Sequence, residues 1–461
     1  MTEFEVISPV DGSVYARRHY ASSEDINEAL ARAQLAKKQW CNVPLSERQR
    51  LCSAMVDALV ANAGEIAHQI CWQMGRPIQY AAGEVQGLAE RARYMIEVAP
   101  QALRTIELPE QTGFTRYIKR EPLGVVFVIA PWNYPYLTAI NSIIPALLAG
   151  NVVLLKHSAQ TPLCAEQLHS AAVSAGLPAG VFQFLHLSHA DTEQLIAHPA
   201  IEQIAFTGSV PGGAMVERAV AGHFKHVGLE LGGKDPAYVR ADADLDHAVP
   251  AVVDGAFFNS GQSCCGIERI YVHETIFDEF VLKAVELVQQ YKLDRADDPA
   301  TSLGPMVKTS AADFVRGQIA EAVAQGARCH IDESLFPMSQ AGTPYLAPQL
   351  LTNVNHGMRI MTEESFGPVV GVQKVADDEE AITLMNDSDF GLTASVFTQD
   401  EAAGVAIGER LETGTFFINR CDYLDPALAW TGVKHSGRGC TLSVIGFEQV
   451  TRPKSFHLKR V

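Results

Sequence analysis

Between residues 124 and 208 the chain repeats one pattern: a short apolar run with no polar alternation, then a stretch that reads as helix or turn. The runs are GVVFVIAP (124–131), NVVLLKH (151–157), GVFQFLH (180–186) and IEQIAFTG (201–208). A strand that is apolar on both faces has to be covered on both, which predicts a parallel sheet sandwiched between helices. Thr161 and Pro162 open one such helix, which closes near Gly176. In sheets of this kind ligands bind beyond the carboxyl ends of the strands. There the chain places Pro131-Trp132-Asn133, Lys156 and Thr207-Gly208-Ser209.

The same alternating style resumes after about residue 230. Residues 24–98 read as helices with apolar positions three and four apart, and Ser46 is a candidate N-cap. GFTRYIKREPLG (113–124) and the terminal TRPKSFHLKRV alternate polar and apolar residues, as exposed strands do.

With 461 residues, 47% of them hydrophobic and 19% charged, the chain has ordinary globular composition and room for two to three domains. A formal net charge of −17 repels phosphate backbones and anionic lipid surfaces, so neither nucleic acid nor a membrane is an expected partner. The most apolar stretch, IIPALLAGNVVLL (143–155), is too short for a bilayer span and is broken by Pro145 and Gly150. No basic and apolar leader opens the chain, so a cytoplasmic location is expected. Nine cysteines without CxxC spacing imply reduced thiols and no metal site.

Neither GxGxxG nor GxxxxGK[ST] occurs. FTGSVPGG (206–213) offers small residues before a helix start, suited to a pyrophosphate or to a tight turn with no ligand. In LELGGKDP (229–236) Glu230 stands among apolar neighbours, where a carboxyl has a raised pKa and serves as a general base, unless it is a cap or half of an ion pair. FFNSGQSCCG (257–266) sets two thiols among glycines and small polar residues. They are either inert small side chains or a nucleophile needing an activated thiolate.

Taken in order, PWNYP (131–135), the lysine and serine of KHS (156–158), FTGSVPGG, LELGGK, FFNSGQSCC, ESFGP (364–368) and GVKHSGRG (432–439) resemble the aldehyde dehydrogenase superfamily over essentially the whole chain. The resemblance implies an α/β fold: a Rossmann-like, parallel-sheet NAD(P)-binding domain (1–103 and 122–230), an α/β catalytic domain (231–433) and a small β oligomerisation extension (104–121 and 441–461). It implies Cys264 as nucleophile, Glu230 as general base and Asn133 as the side-chain donor of the oxyanion hole. Trp132, Lys156, Ser158, Gly208, Ser209, Gly213, Glu364 and Phe366 become the expected cofactor residues, and Tyr136, Asn141 and Arg420 the expected substrate residues. It further implies oxidation of a small-molecule aldehyde to the acid by a non-acylating, hydrolytic route, in a homodimer or homotetramer.

Three departures from the family pattern matter. Ala159 stands where NAD-preferring members carry a glutamate, so NADP is expected to be tolerated beside NAD. Cys440-Thr441 replaces an Arg-Glu pair assigned to a proton relay. Asn141 stands where enzymes acting on succinic semialdehyde carry an arginine, which argues against a dicarboxylic semialdehyde. In FINRCDYLDPALAW (417–430), which resembles the loop where the aldehyde enters, Arg420 suits an anionic substrate end, whereas Asp422, Tyr423 and Asp425 suit a polar or cationic one.

Overall fold

The computed structural model describes residues 2–460. The apolar runs form strands β1 (Val125–Ala130), β2 (Val152–His157), β3 (Phe182–Phe184), β4 (Gln203–Thr207) and β5 (His226–Glu230). All five are parallel, in the order β5-β4-β1-β2-β3, and Gly437–Arg438 returns to pair antiparallel with the open edge of β5. Every residue of β1 and β2 is buried, as a strand covered on both faces requires. The chain builds β2 and β3 on one side of β1, then crosses to add β4 and β5 on the other. This reversal opens a crevice at the carboxyl ends of β1 and β4.

Three helices shape that crevice: α1 (Gly83–Ala102), α2 (Pro135–Ala149) and α3 (Val210–Val220). Helix α2 is buried all round from Ala139 to Ala149 and stops at Gly150, whose φ of 93° is the left-handed conformation glycine adopts without strain. The apolar stretch 143–155 is therefore half core helix and half core strand. Among the described residues no helix is long and apolar enough to cross a membrane.

A second sheet follows: β6 (Asp235–Val239), β7 (Ile267–His273), β8 (Gln349–Thr352), β9 (Val369–Val375), β10 (Thr393–Phe397) and β11 (Thr415–Ile418), parallel in the order β8-β9-β7-β6-β10-β11. Arg328–Cys329 adds an antiparallel edge. Helix α4 (Leu245–Phe257) covers one face and leads into the loop that carries Cys264. The hydrophobic core changes hands between Leu231 and Ala237, the former in the first sheet's core and the latter in the second's.

The two exposed stretches are strands, as their alternation predicts, and they pair with each other. Phe114–Pro122 runs antiparallel to Thr451–Lys459 over nine residues, with Tyr117 and Phe456 stacked at 4.6 Å. Leu442, Phe447 and Val450, by contrast, belong to the first core, so only residues from Thr451 onward form the projecting strand. Two local expectations fail. Ser46 lies inside the helix Leu45–Ala61, whose cap position is Pro44, and the run 180–186 keeps only three strand residues because β3 is a short edge.

Candidate active site

Cys264 and Glu230 line one cavity of about 520 Å³ at the carboxyl ends of the first sheet. Glu230 closes β5, and its carboxylate accepts hydrogen bonds from Thr441 Oγ1 at 2.6 Å and Thr207 Oγ1 at 3.0 Å. Burial pushes its pKa up, against the pull of the two hydroxyls and of Arg91 nearby. It has the character of a general base that stays protonated to higher pH than an ordinary glutamate. Thr441 stands where the resemblance places a relay carboxylate, and its hydroxyl instead anchors Glu230 directly.

The two adjacent thiols differ. Cys265 is 4% exposed and its Sγ donates to Asp422 Oδ1 at 3.0 Å. The neighbouring Cys264, burial and Asp422 all push the Cys265 pKa up. Cys264 is the more open of the two and faces the cavity. The thiol able to meet a ligand is therefore Cys264, and Cys265 is held as a protonated donor.

The loop between α4 and β7 owes its shape to three consecutive left-handed residues, Asn259 (φ 54°), Ser260 (φ 57°) and Gly261 (φ 70°). A Cβ on Gly261 would lie 2.1 Å from the Gly367 carbonyl, and one on Gly233 would lie 2.2 Å from the Cys264 carbonyl. These glycines permit backbone to pass against backbone, and the ESFGP and ELGGK segments close on the thiol loop. Of the two phenylalanines before it, Phe258 lines the cavity, whereas Phe257 is 1% exposed and packs in the second core.

Asn133 follows β1 and donates from Nδ2 to the Gln262 carbonyl at 3.2 Å, two residues before Cys264. Its own carbonyl accepts from Arg76 Nη2 at 2.5 Å. Arg76 is 2% exposed, forms an ion pair with Glu84 and donates from Nε to Asn259 Oδ1 at 3.1 Å. Glu84 in turn accepts from the Tyr136 and Leu137 amides at 2.8 and 3.1 Å, capping α2. One buried pair thus fixes Asn133, the thiol loop and the start of α2. Arg76→Ala leaves Glu84 charged and unpaired, and is expected to cost about 3–5 kcal/mol of stability, read as a lower urea midpoint.

Beside this cavity the crevice carries the side chains suited to a dinucleotide. Lys156, the penultimate residue of β2, is 8% exposed, has no hydrogen-bond or ion-pair partner among the described residues, and burial pulls its pKa down to about 8. Such an orphaned cation fits a polyhydroxylated or anionic ligand. Ser209 caps α3, its Oγ accepting from the Gly212 amide at 3.3 Å, with Gly208 before it and Gly213 in the first turn. A helix start of this kind suits a pyrophosphate. Glu364 accepts from the Gly233 amide at 2.9 Å, and burial beside Glu268 pushes it up to about 8. Phe366, at φ 51°, meets Trp132 edge to face at 5.7 Å. Ser158 accepts from the Gln160 amide at 3.2 Å at the β2 exit. These groups fit a nicotinamide dinucleotide.

Residues 1–456 match the family model described as Aldehyde dehydrogenase family. The chain belongs to the aldehyde dehydrogenase family. It is 34% identical over 451 residues to a succinate-semialdehyde dehydrogenase [NADP(+)] of Deinococcus radiodurans, covering 98% of this chain and 94% of the relative. It is 34% identical over 460 residues to betaine aldehyde dehydrogenase 1 of Rhizobium meliloti, covering 99% and 94%. Among solved structures, the NADP-dependent glyceraldehyde-3-phosphate dehydrogenase of Bacillus halodurans C-125 complexed with NADP superposes with a TM-score of 0.94 at 33% identity, covering 100% of this chain and 96% of that one.

Against this aldehyde dehydrogenase framework the expected substrate residues divide. Asn141 lines the cavity, and its Oδ1 accepts from Arg91 Nη1 at 3.4 Å. Arg420 lies at the cavity wall with its guanidinium 3.6 Å from the centre of the Tyr423 ring. Tyr136 is a correction: it is fully buried in the first core with an unpartnered hydroxyl, because the turn into α2 aims Tyr134 and Leu137, not Tyr136, at the cavity. Asp422 is no free anionic contact either, since Cys265 and Ser263 bond to it, at 3.0 and 3.3 Å, and burial raises its pKa to about 7. Sequence reasoning missed Arg76, Glu84 and Arg91. Their helical segments look like ordinary packing helices, and nothing local signals that the charges point inward.

Proposed function

We propose that the protein oxidises small aldehydes to carboxylic acids with NAD or NADP, through a covalent adduct on Cys264 that water cleaves with Glu230 as base. The observation that carries this reading is the pairing of an accessible thiol and a buried, pKa-raised carboxyl in one cavity at the carboxyl ends of the first sheet. The Cys264 thiolate attacks the carbonyl carbon, and the oxygen that takes up the charge is held by Asn133 Nδ2 and the Cys264 amide. The bound nicotinamide supplies a hydride acceptor, and loss of hydride from that carbon leaves a thioester. Glu230 then removes a proton from water, hydroxide adds to the thioester, and the acid departs as the thiolate is restored.

Trp132, Lys156, Ser158, Gly208, Ser209, Gly213, Glu364 and Phe366 hold the cofactor. NADP use is supported by Ala159, which leaves no carboxylate three residues after Lys156 to repel a 2′-phosphate, and by the NADP named for the Deinococcus and Bacillus proteins. Residues 1–103 and 122–230 form the cofactor domain and 231–433 the catalytic domain, a division supported by the change of core near residue 231. The strands of 104–121 and 441–461 pair across subunits in a homodimer or homotetramer, supported by the outer edge of Thr451–Lys459, which pairs with no described strand. The working place of such an enzyme is the cytoplasm.

The test is an aldehyde panel followed by reduced-nicotinamide absorbance, with NAD and NADP run in parallel over about pH 6 to 9. No absorbance change with either cofactor would refute the reading. Lys156 adds a signed expectation. Below about 8 it is charged and attracts the 2′-phosphate; above that it is neutral. The kcat/KM for NADP, which reports the free enzyme, should fall relative to that for NAD as pH rises through about 8, and Lys156→Ala should flatten this ratio. Glu364 titrates in the same range but bears on both cofactors alike.

A further inference from the structure

Two arginines of the catalytic cavity have no carboxylate partner among the described residues: Arg420, which lies over the Tyr423 ring at the wall, and Arg91, which does not stack on an aromatic ring. Arg91 lies on α1, half buried, and Nη1 makes two long hydrogen bonds, 3.2 Å to the Leu137 carbonyl and 3.4 Å to Asn141 Oδ1. Its Nε and Nη2 have no partner, and no carboxylate pairs with it, among the described residues. The cavity's carboxylates are engaged elsewhere: Glu84 with Arg76, Glu230 with two threonines, Asp422 with Cys265 and Ser263, and Glu90 with the Tyr423 hydroxyl at 2.9 Å. Asp254, on α4, is exposed and makes no ion pair with Arg91.

A guanidinium held in a partly apolar cavity with its Nε–Nη2 edge free is a fork in search of a carboxylate. The Cys264 thiol and the Glu230 carboxyl line the same cavity of about 520 Å³ as this guanidinium. A ligand bridging thiol and guanidinium has to fit within that one cavity, which favours a short one. Asn141 supplies no charge of its own, and by accepting from Nη1 it orients that fork.

We propose that Arg91 is the substrate-recognition residue of this cavity, binding the carboxylate of a short ω-oxo acid while its aldehyde meets Cys264. This rests on the proposed dehydrogenase activity and names its substrate class. Asn141 had argued against a semialdehyde of this kind because it is not an arginine; the cation comes from a different helix.

The experiment compares succinic semialdehyde with butanal, which has the same carbon count and no charge. The wild-type enzyme should favour the acid, and free succinate should inhibit butanal oxidation competitively. Arg91→Gln should lower the ratio of the two kcat/KM values by about 10- to 100-fold, mainly through KM for the acid, as loss of a charge-assisted hydrogen-bonded pair does. Arg91→Lys should restore part of the ratio. If both aldehydes are oxidised but Arg91→Gln leaves the ratio unchanged, the assignment of Arg91 falls while the dehydrogenase reading stands. If wild-type enzyme shows no preference for the acid and no inhibition by succinate, the assignment falls without recourse to a variant. If neither aldehyde reduces either nicotinamide, both fall together.

Discussion

Cys264→Ala should lower aldehyde oxidation by on the order of 10⁴-fold or more, the loss that follows when a covalent route has no nucleophile. Cys265 cannot substitute, because it is buried, raised in pKa and committed to Asp422. Mass spectrometry of enzyme trapped during turnover should find one acyl group on the 257–266 segment, at Cys264. An adduct on Cys265, or turnover surviving in Cys264→Ala, would overturn the mechanism. The variant should fold normally, since the Cys264 side chain faces the cavity and the loop is braced through its backbone and through Asn259 and Gln262.

Glu230→Gln should separate the two halves of the reaction. Attack and hydride loss do not need the carboxylate, so one equivalent of reduced nicotinamide should appear in a burst. Steady turnover should then fall by about 10²- to 10⁴-fold, because the thioester awaits an unassisted water. Glutamine keeps acceptor capacity for Thr207 and Thr441, which limits structural disturbance. In the wild type the base works only when ionised. With a raised pKa, hydrolysis should start to fail on acidification at a higher pH than an ordinary glutamate would give. A variant that loses the burst as well would place Glu230 in the first half-reaction and refute the division.

Much of this was legible in the sequence. Runs such as GVVFVIAP and NVVLLKH have one economical home, the interior of a parallel sheet, and they became β1 and β2 at nearly the expected limits. Their carboxyl ends brought Asn133, Lys156, Ser209 and Glu230 to one side because parallel strands all end on the same side. Side-chain direction was harder to read. Tyr136 follows Asn133 closely, and whether it faces cavity or core depends on the turn between β1 and α2, which no periodicity encodes. The hidden charges posed a related difficulty. Glu84 is 1% exposed and Arg91 half buried, yet on a helical repeat both read as solvent-facing residues. Only the neighbouring elements, arriving from 50 or more residues away in sequence, turn that face inward.

The seam where Gly233 passes the Cys264 carbonyl carries a lesson for altering what the enzyme accepts. No side chain there can be trimmed or enlarged, so the backbone support behind the thiol is closed to redesign. The cavity wall built from α1 and the 420–424 loop consists of replaceable side chains, and new specificities should be sought and selected there.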